Sequence, residues 1–349
     1  MTQPAKGGRF ERAQWSSLAP QALSAEGADL VRESGLGDGG SLPTVFSPAV
    51  ADVDLADWVA GNRGLLAQRL GQFGAILFRG FGIDSAPAFE AVARNLCGEL
   101  FAENGEHPRE AVTGSVYTPV FYPAGKRLLW HNENSFNHEW PLKILFCCLR
   151  PADSGGETPL VDSRGVCRRL DPSIRERFQR LGVRYVRNYG AGPGLDWQTV
   201  FRTADRAEVE ARCAAQGLAV EWKAADRLRT SCVRPAVVRH PQTGEESWFN
   251  QAQHWHVSCL EPEMRSSLAA AFAEEDLPRH CWFGDGSPIP DAMMAEILAV
   301  YAELEVCFPW RAGDVVMLDN LLAAHGRNPF QGERKILVAL GEMRTYDDV

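Results

Sequence analysis

The run Trp130-His131-Asn132-Glu133 sets an imidazole and a carboxylate on alternate positions. In an extended strand alternate side chains leave the same face, so a single cation can touch both. A third ligand has to come from elsewhere, and His325 is placed for it, at the end of a predicted strand just before a glycine-containing loop. Two imidazoles and one carboxylate on one side of an ion leave its other side open to exogenous ligands, which is the donor set of a non-haem iron(II) site. A His-x-Glu pair alone is a weak signal, because ordinary polar contacts explain such common residue types at that spacing equally well.

Other polar residues compete for attention. His254 and His256, in Gln253-His254-Trp255-His256, resemble a second metal pair but have no carboxylate at useful spacing, so packing or hydrogen bonding is the expected role. His138 could orient a ligand, although a loop contact is the simpler expectation. Arg127, Asn134 and Ser135 flank the metal motif and are candidates to meet a substrate, Arg127 through a carboxylate and the other two through an amine or amide. Thr158, in Gly155-Gly156-Glu157-Thr158-Pro159, reads from the residues alone as a turn residue. Asp314 and Asp319 frame the strand before His325; Asp319 is suited to fixing a turn or supporting the ligand, and neither is assigned to the metal. Trp130 and Trp255 adjoin these segments, but ten tryptophans in a chain of this size need no ligand role. The acidic run Glu274-Glu275-Asp276 reads as a solvated helix end.

These residues need a scaffold. Helical spacing covers Asp52 to Phe73 and Phe89 to Leu100, with a short β-type run, Ala75 to Gly82 and closed by glycines, after the first. The stretch 101–126 has glycine and proline breaks and is predicted to be a loop closing over the site. Apolar KILFCCLRP (143–151) reads as a buried core strand, VRYVRNY (183–189) alternates as a half-buried one, and AVVRHPQTGEESWFNQ as two strands joined by a turn. Helices are predicted near 261–275 and 290–304, then two core strands in GDVVMLDNLLAAHG and ERKILVALGEMR. Strands separated by long loops and helices predict a mainly β protein with added helices around a double-stranded β-helix, or jelly roll. Residues 1–45 are expected to be an arm or lid with a short helix, and 46–349 a single domain.

Composition narrows the partners. A net charge of −9 argues against a nucleic-acid surface and for a small-molecule substrate. Nine cysteines, odd in number, without CxxC pairs and with Cys147 and Cys148 adjacent in an apolar run, fit reduced thiols in a cytoplasm. No apolar run suits a signal peptide or a membrane span, so no membrane partner is expected.

The segments LLWHNENSFNHEWPLKILFCCLRPADSGGETPLVDSR and GDVVMLDNLLAAHGRNPFQGERKILVAL give a more specific signal. They resemble the taurine dioxygenase and clavaminate synthase superfamily of iron(II)/2-oxoglutarate oxygenases, and within it the group associated with syringomycin and other nonribosomal peptide pathways. The resemblance runs from about Leu42 to Met343. It implies that His131, Glu133 and His325 hold iron(II), with Glu133 where many relatives have Asp. It also implies that 2-oxoglutarate chelates the metal while Arg334, or its neighbour Lys335, binds the far carboxylate and Thr158 donates or accepts a hydrogen bond at the cosubstrate. Dioxygen is the other cosubstrate. The implied outcome is hydroxylation of an amino acid, free or carried on a peptidyl carrier protein; desaturation, cyclisation and epoxidation share the same ligands. Halogenation is disfavoured because Glu133 is present. A catalytically silent jelly roll that binds a carrier domain or metabolite is the reading of another class, disfavoured by retention of both histidines, the glutamate and a cation.

Overall fold

The computed structural model describes residues 30–36, 42–101, 111–190 and 195–349. Most of the expected arm with its short helix, and residues 102–110 of the expected closing loop, lie outside the described residues. In chain order the elements are β1 (Val31–Gly35), β2 (Thr44–Pro48), α1 (Leu55–Gly61), α2 (Arg63–Phe73), β3 (Ala75–Phe78), α3 (Ala86–Cys97), β4 (Ala111–Thr113), β5 (Val116–Tyr117), β6 (Leu128–His131) and β7 (Glu139–Arg150). Next come β8 (Ser154–Gly155), β9 (Leu160–Asp162), α4 (Ser163–Arg169), α5 (Pro172–Leu181), β10 (Val183–Tyr189), α6 (Trp197–Phe201), α7 (Arg206–Ala215), β11 (Ala219–Lys223), β12 (Arg227–Arg234), β13 (Val237–Arg239) and β14 (Glu246–Trp248). The remainder are α8 (Ala252–Trp255), α9 (Pro262–Ala271), β15 (Arg279–Phe283), α10 (Asp291–Leu304), β16 (Val315–Asp319), β17 (Ala323–Arg327), β18 (Phe330–Gln331) and β19 (Lys335–Thr345).

β7 shows why its sequence is apolar at nearly every position. Ile144, Phe146 and Cys148 on one face pack with Leu160, Val316, Leu318, Ala323 and Val338. Leu145 and Cys147 on the other pack with Trp58, Leu66, Phe89 and Val92 of the first three helices. A strand covered on both faces has no solvated side to make polar. The same alternation sends the adjacent thiols Cys147 and Cys148 into different clusters, and burial pushes both up to about 12. β7 lies inside an eight-stranded sheet of order β1-β2-β3-β16-β7-β19-β5-β4. Its inner face meets residues of the three-stranded sheet β6-β17-β9, and a four-stranded sheet, β11-β12-β10-β15, packs beyond that. Two ribbons, β13-β14 and β8-β18, complete the pairing.

Several expectations change. Helix and strand occur in comparable amounts, so the chain is mixed rather than mainly β. The helix expected over Asp52–Phe73 is two, α1 and α2, because Asn62 follows Gly61 and turns its amide back to Trp58 O at 2.8 Å. The strand expected in GDVVMLDNLLAAHG is also two, in different sheets. Asp319 Oδ1 accepts from the main-chain N–H of Leu321 at 2.9 Å and Leu322 at 3.2 Å and so builds the turn between them. β4 and β5 extend the edge of the large sheet inside what was expected to be a loop, and β1 pairs with β2 across the domain boundary expected at 45/46. Among the described residues, no helix is long and apolar enough to cross a membrane.

Candidate metal centre and cosubstrate site

His131 ends β6 and is directly opposite His325 in the antiparallel partner β17, with ring centroids 4.4 Å apart. Glu133 reaches them differently from the expectation: it lies beyond the strand, in a turn where Asn134 takes a left-handed φ of 56°. Its Oε2 is 3.7 Å from His131 Nε2 and 3.8 Å from His325 Nε2. The three donor atoms lie within 4.8 Å of one another, the one such group of three or more among the described residues. His131 Nδ1 is 2.9 Å from Leu129 O, so the proton belongs on Nδ1 and the lone pair of Nε2 faces Glu133. Imidazole and carboxylate donors at these separations suit a divalent cation of the iron or zinc type, and the group fits iron(II).

The turn carrying Glu133 is held by buried amides that the sequence reading did not single out. Asn320 Oδ1 accepts from Glu133 N at 2.7 Å, while its Nδ2 donates to Glu133 O and Pro141 O, both at 2.9 Å. Asn132 Nδ2 donates to Asn320 O at 2.6 Å, Gln251 Nε2 to Asn132 O at 2.7 Å and Gln253 Nε2 to Trp130 O at 2.6 Å. The signal was present in Leu318-Asp319-Asn320-Leu321-Leu322: a polar pair inside an apolar run must find buried partners. Ser135 is fully buried and its carbonyl accepts from the Tyr346 hydroxyl; Asn134 is buried as well.

Of the other histidines, His254 stands edge-on to His131 at 4.9 Å and donates through Nε2 to Leu129 O at 3.0 Å. Burial first, and then His131, push its pKa down to about 3, so it is neutral beside the site. His256 hydrogen-bonds Ser258 and Ile289 O, as a packing role requires. His138 is half-buried in the loop between β6 and β7. Asp314 is buried against Arg79 at 2.7 Å. Arg127 departs from its expected role: it is ion-paired with Glu305 and its guanidinium stacks 4.5 Å from the Trp130 ring, so its charge is already compensated.

The cosubstrate candidates converge on one loop. Leu160 pairs with His325, and Gly326 N donates to Pro159 O at 3.0 Å, which sets the Gly155–Pro159 loop against the metal-bearing strand. Thr158 is buried there and accepts from Trp310 Nε1 at 3.2 Å. At the other end Arg334 Nε donates to Gly156 O at 2.9 Å. Gly156 has φ +75°, and a Cβ on it would come to 3.0 Å from both Arg334 and Phe330, so this approach needs glycine. Arg334 is half-buried and has no carboxylate partner among the described residues. Burial, and then repulsion from Arg327, lower its pKa to about 10. Lys335 is exposed, which leaves Arg334 as the better anion site of the two.

Known proteins resemble this chain over most of its length. A dapdiamide synthesis protein, DdaC of Enterobacter agglomerans, is 40% identical over 272 residues, 78% of this chain and 83% of that protein. A clavaminate synthase-like protein of Arabidopsis thaliana is 30% identical over 322 residues, 85% of this chain and 93% of that one. Among solved structures, PvcB of Pseudomonas aeruginosa superposes with a TM-score of 0.54 at 17% identity, covering 95% of this chain and 94% of its own. PvcB is described as an Fe, alpha-ketoglutarate dependent oxygenase from an isonitrile synthetic pathway. A taurine dioxygenase from Burkholderia xenovorans superposes at 0.53 with 16% identity, over 92% and 93% of the two chains. With the family model of taurine catabolism dioxygenase TauD, TfdA matching residues 39–340, the chain belongs to that family and is a non-haem iron(II)- and 2-oxoglutarate-dependent dioxygenase.

Proposed function

We propose that this dioxygenase oxidises a C–H bond of an amino acid or amino-acid-derived small molecule in natural-product biosynthesis, by hydroxylation, with the substrate free or tethered to a carrier. The observation that carries the site assignment is the opposed pair His131 and His325 with Glu133 against both. These three residues would hold iron(II), and the two facing sheets around Phe146, Leu160 and Val338 are read as the jelly roll that presents them. The pathway reading rests on DdaC and PvcB, whose names place them in the synthesis of dapdiamide and of an isonitrile.

When bound, iron with 2-oxoglutarate and dioxygen supplies the oxidation of the substrate carbon, leaving succinate and carbon dioxide. The protein's own residues position and enclose. Arg334 supplies the cation for the far carboxylate of 2-oxoglutarate, as a planar fork that can bind both oxygens. Thr158 fixes the cosubstrate through its hydroxyl, itself oriented by Trp310. Leu129 O holds His131 in the tautomer that offers Nε2, and Asn320 holds the Glu133 turn at its set distance. Asn134 lies on that turn and is assigned to a substrate contact, whereas Ser135 on the same turn is fully buried and offers a substrate no surface. Phe146, 5.0 Å from the His325 ring, contributes an apolar wall that excludes water.

The test is an iron-dependent succinate-release assay over a panel of amino acids, free and carrier-tethered, with product masses. A gain of one oxygen supports hydroxylation; loss of two hydrogens moves the reaction to desaturation or cyclisation. Release from apolar terpenes or fatty acids, with none from amino acids, refutes the substrate class while leaving the dioxygenase in place.

A further inference from the structure

One face of the four-stranded sheet leads from the packed core to the flank of the metal centre and ends in two arginines. Alternate strand residues share a face, so Val183, Tyr185 and Arg187 of β10 lie directly beside Phe283, Cys281 and Arg279 of β15. The first two rows are buried in one cluster with Trp130, Trp255 and Ala324. Tyr185 packs 6.2 Å from Phe136, on the Glu133 turn, and 5.1 Å from Trp255, the neighbour of His254. Its hydroxyl accepts from Gln251 N at 2.9 Å, and Gln251 is the residue whose amide holds Asn132. The next row along that face is Arg187 and Arg279, where β15 begins.

Like charges directly opposite in neighbouring strands are destabilising. Arg187 lays its guanidinium 4.9 Å from the Tyr189 ring. Arg279 is reached by solvent but has no carboxylate or hydrogen-bond acceptor among the described residues. Its pKa is lowered, by loss of hydration first and by Arg187 second. The Arg279 guanidinium thus combines access to solvent with partial loss of hydration to the protein around it. The other cations nearby are satisfied: Arg127 by Glu305, and Arg234 by the carbonyls of Phe136 and Gln216.

We infer that Arg279, with Arg187 beside it, receives an anionic oxygen group of the primary substrate, a carboxylate or a phosphate, on the His254 side of the metal centre. The inference rests on the oxygenase reading and narrows its substrate to acids. It replaces Arg127, whose charge is spent on Glu305, as the residue that meets the substrate's negative end. A carboxylate would belong to a free or side-chain acid; a phosphate would belong to a phosphorylated substrate or to the arm of a carrier.

The experiment uses full-length protein loaded with Mn(II) and saturating N-oxalylglycine, which fills the metal and 2-oxoglutarate positions and blocks Arg334. Nuclear relaxation of 13C-acetate, inorganic phosphate and neutral acetamide is then followed, because a nucleus bound near Mn(II) relaxes faster. The expected result is a saturable enhancement for acetate or phosphate and none for acetamide. Affinity for that anion should be about tenfold or more weaker in Arg279→Gln, partly kept in Arg279→Lys and unchanged in the remote Arg239→Gln. Which anion saturates at the lower concentration separates the carboxylate from the phosphate source. Equal enhancement in wild type and Arg279→Gln overturns the inference, as does no enhancement by either anion in a protein that binds Mn(II) and N-oxalylglycine. Failure to bind Mn(II) or N-oxalylglycine sinks the oxygenase site itself, a separately visible result.

Discussion

Replacing Arg334 with alanine should separate cosubstrate binding from everything else the site does. The guanidinium is half-buried, gives one N–H to Gly156 O at 2.9 Å and has its pKa lowered to about 10 by burial and Arg327. At neutral pH both the folded and the unfolded chain still carry that proton, so the unfavourable burial does not vary with pH there. Stability from this group would rise only as pH climbs through the interval above 10 in which the unfolded chain alone is charged. The cost is borne by the cosubstrate-free protein and recovered when a carboxylate arrives. Arg334→Ala should therefore leave the thermal midpoint without 2-oxoglutarate unchanged or higher. It should also remove a charge-assisted hydrogen bond of about 1.5 to 3 kcal/mol, roughly a ten- to hundredfold rise in the 2-oxoglutarate Kd. Titration of 2-oxoglutarate into the Mn(II)-loaded protein reads the affinity directly, and KM in the succinate assay should follow it. Lys335→Ala, at an exposed position, should shift it by less than about twofold. An unchanged titration for Arg334→Ala with a large effect from Lys335→Ala would refute the reasoning and move the anion site by one residue.

Other substitutions probe different parts of the same construction. Alanine at His131, Glu133 or His325 should abolish iron-dependent succinate release while circular dichroism shows the fold retained; full turnover by Glu133→Ala at matched iron would dismiss the triad. Asn320→Ala strands two buried main-chain carbonyls and an N–H around the Glu133 turn and should cost about 2 to 4 kcal/mol in urea unfolding, with metal affinity reduced alongside. His256 and His280 are buried with pKa values pushed down to about 4, by loss of hydration first. The unfolded chain binds these protons below about pH 6.5 and the folded one only near 4, so stability is present above that window and lost as pH falls through it. Urea midpoints measured from pH 7 to 4 should fall, and less steeply in His280→Gln; identical slopes would contradict the assignment.

What the sequence made legible was whatever depends on near neighbours. The apolar run around Cys147 and Cys148, the alternation of Val183–Tyr189 and the turn in Gln242–Glu245 all appear where local pattern puts them. The candidate ligand group was readable because His131 and Glu133 are close in the chain, although their convergence comes from a turn and not from strand alternation. The breaks at Asn62 and Asp319 were missed because a single side chain hydrogen-bonding its own backbone outweighed a helical or strand period that continues on both sides. β15 was missed too: Arg279-His280-Cys281-Trp282-Phe283 is short, opens on a charge and earns its strand only by pairing with β10. Long-range partners were beyond reach. Nothing near Arg127 announces Glu305, and nothing near Glu133 announces Asn320, since each pairing is set by how distant strands and helices come together.

The direct cross-strand placement of His131 against His325 also bears on how the protein is made. A slip of one residue between β6 and β17 would turn one imidazole to the opposite face, so the proposed ligand set is complete only in the native register. During synthesis the ribosome delivers His131 long before His325, and β17 must then insert between β6 and β9. An unfinished or misregistered chain therefore lacks the third donor and cannot retain the metal well. On the proposed ligand set, metal loading would follow assembly: the capacity for oxidation would arrive only with the closed fold that contains it.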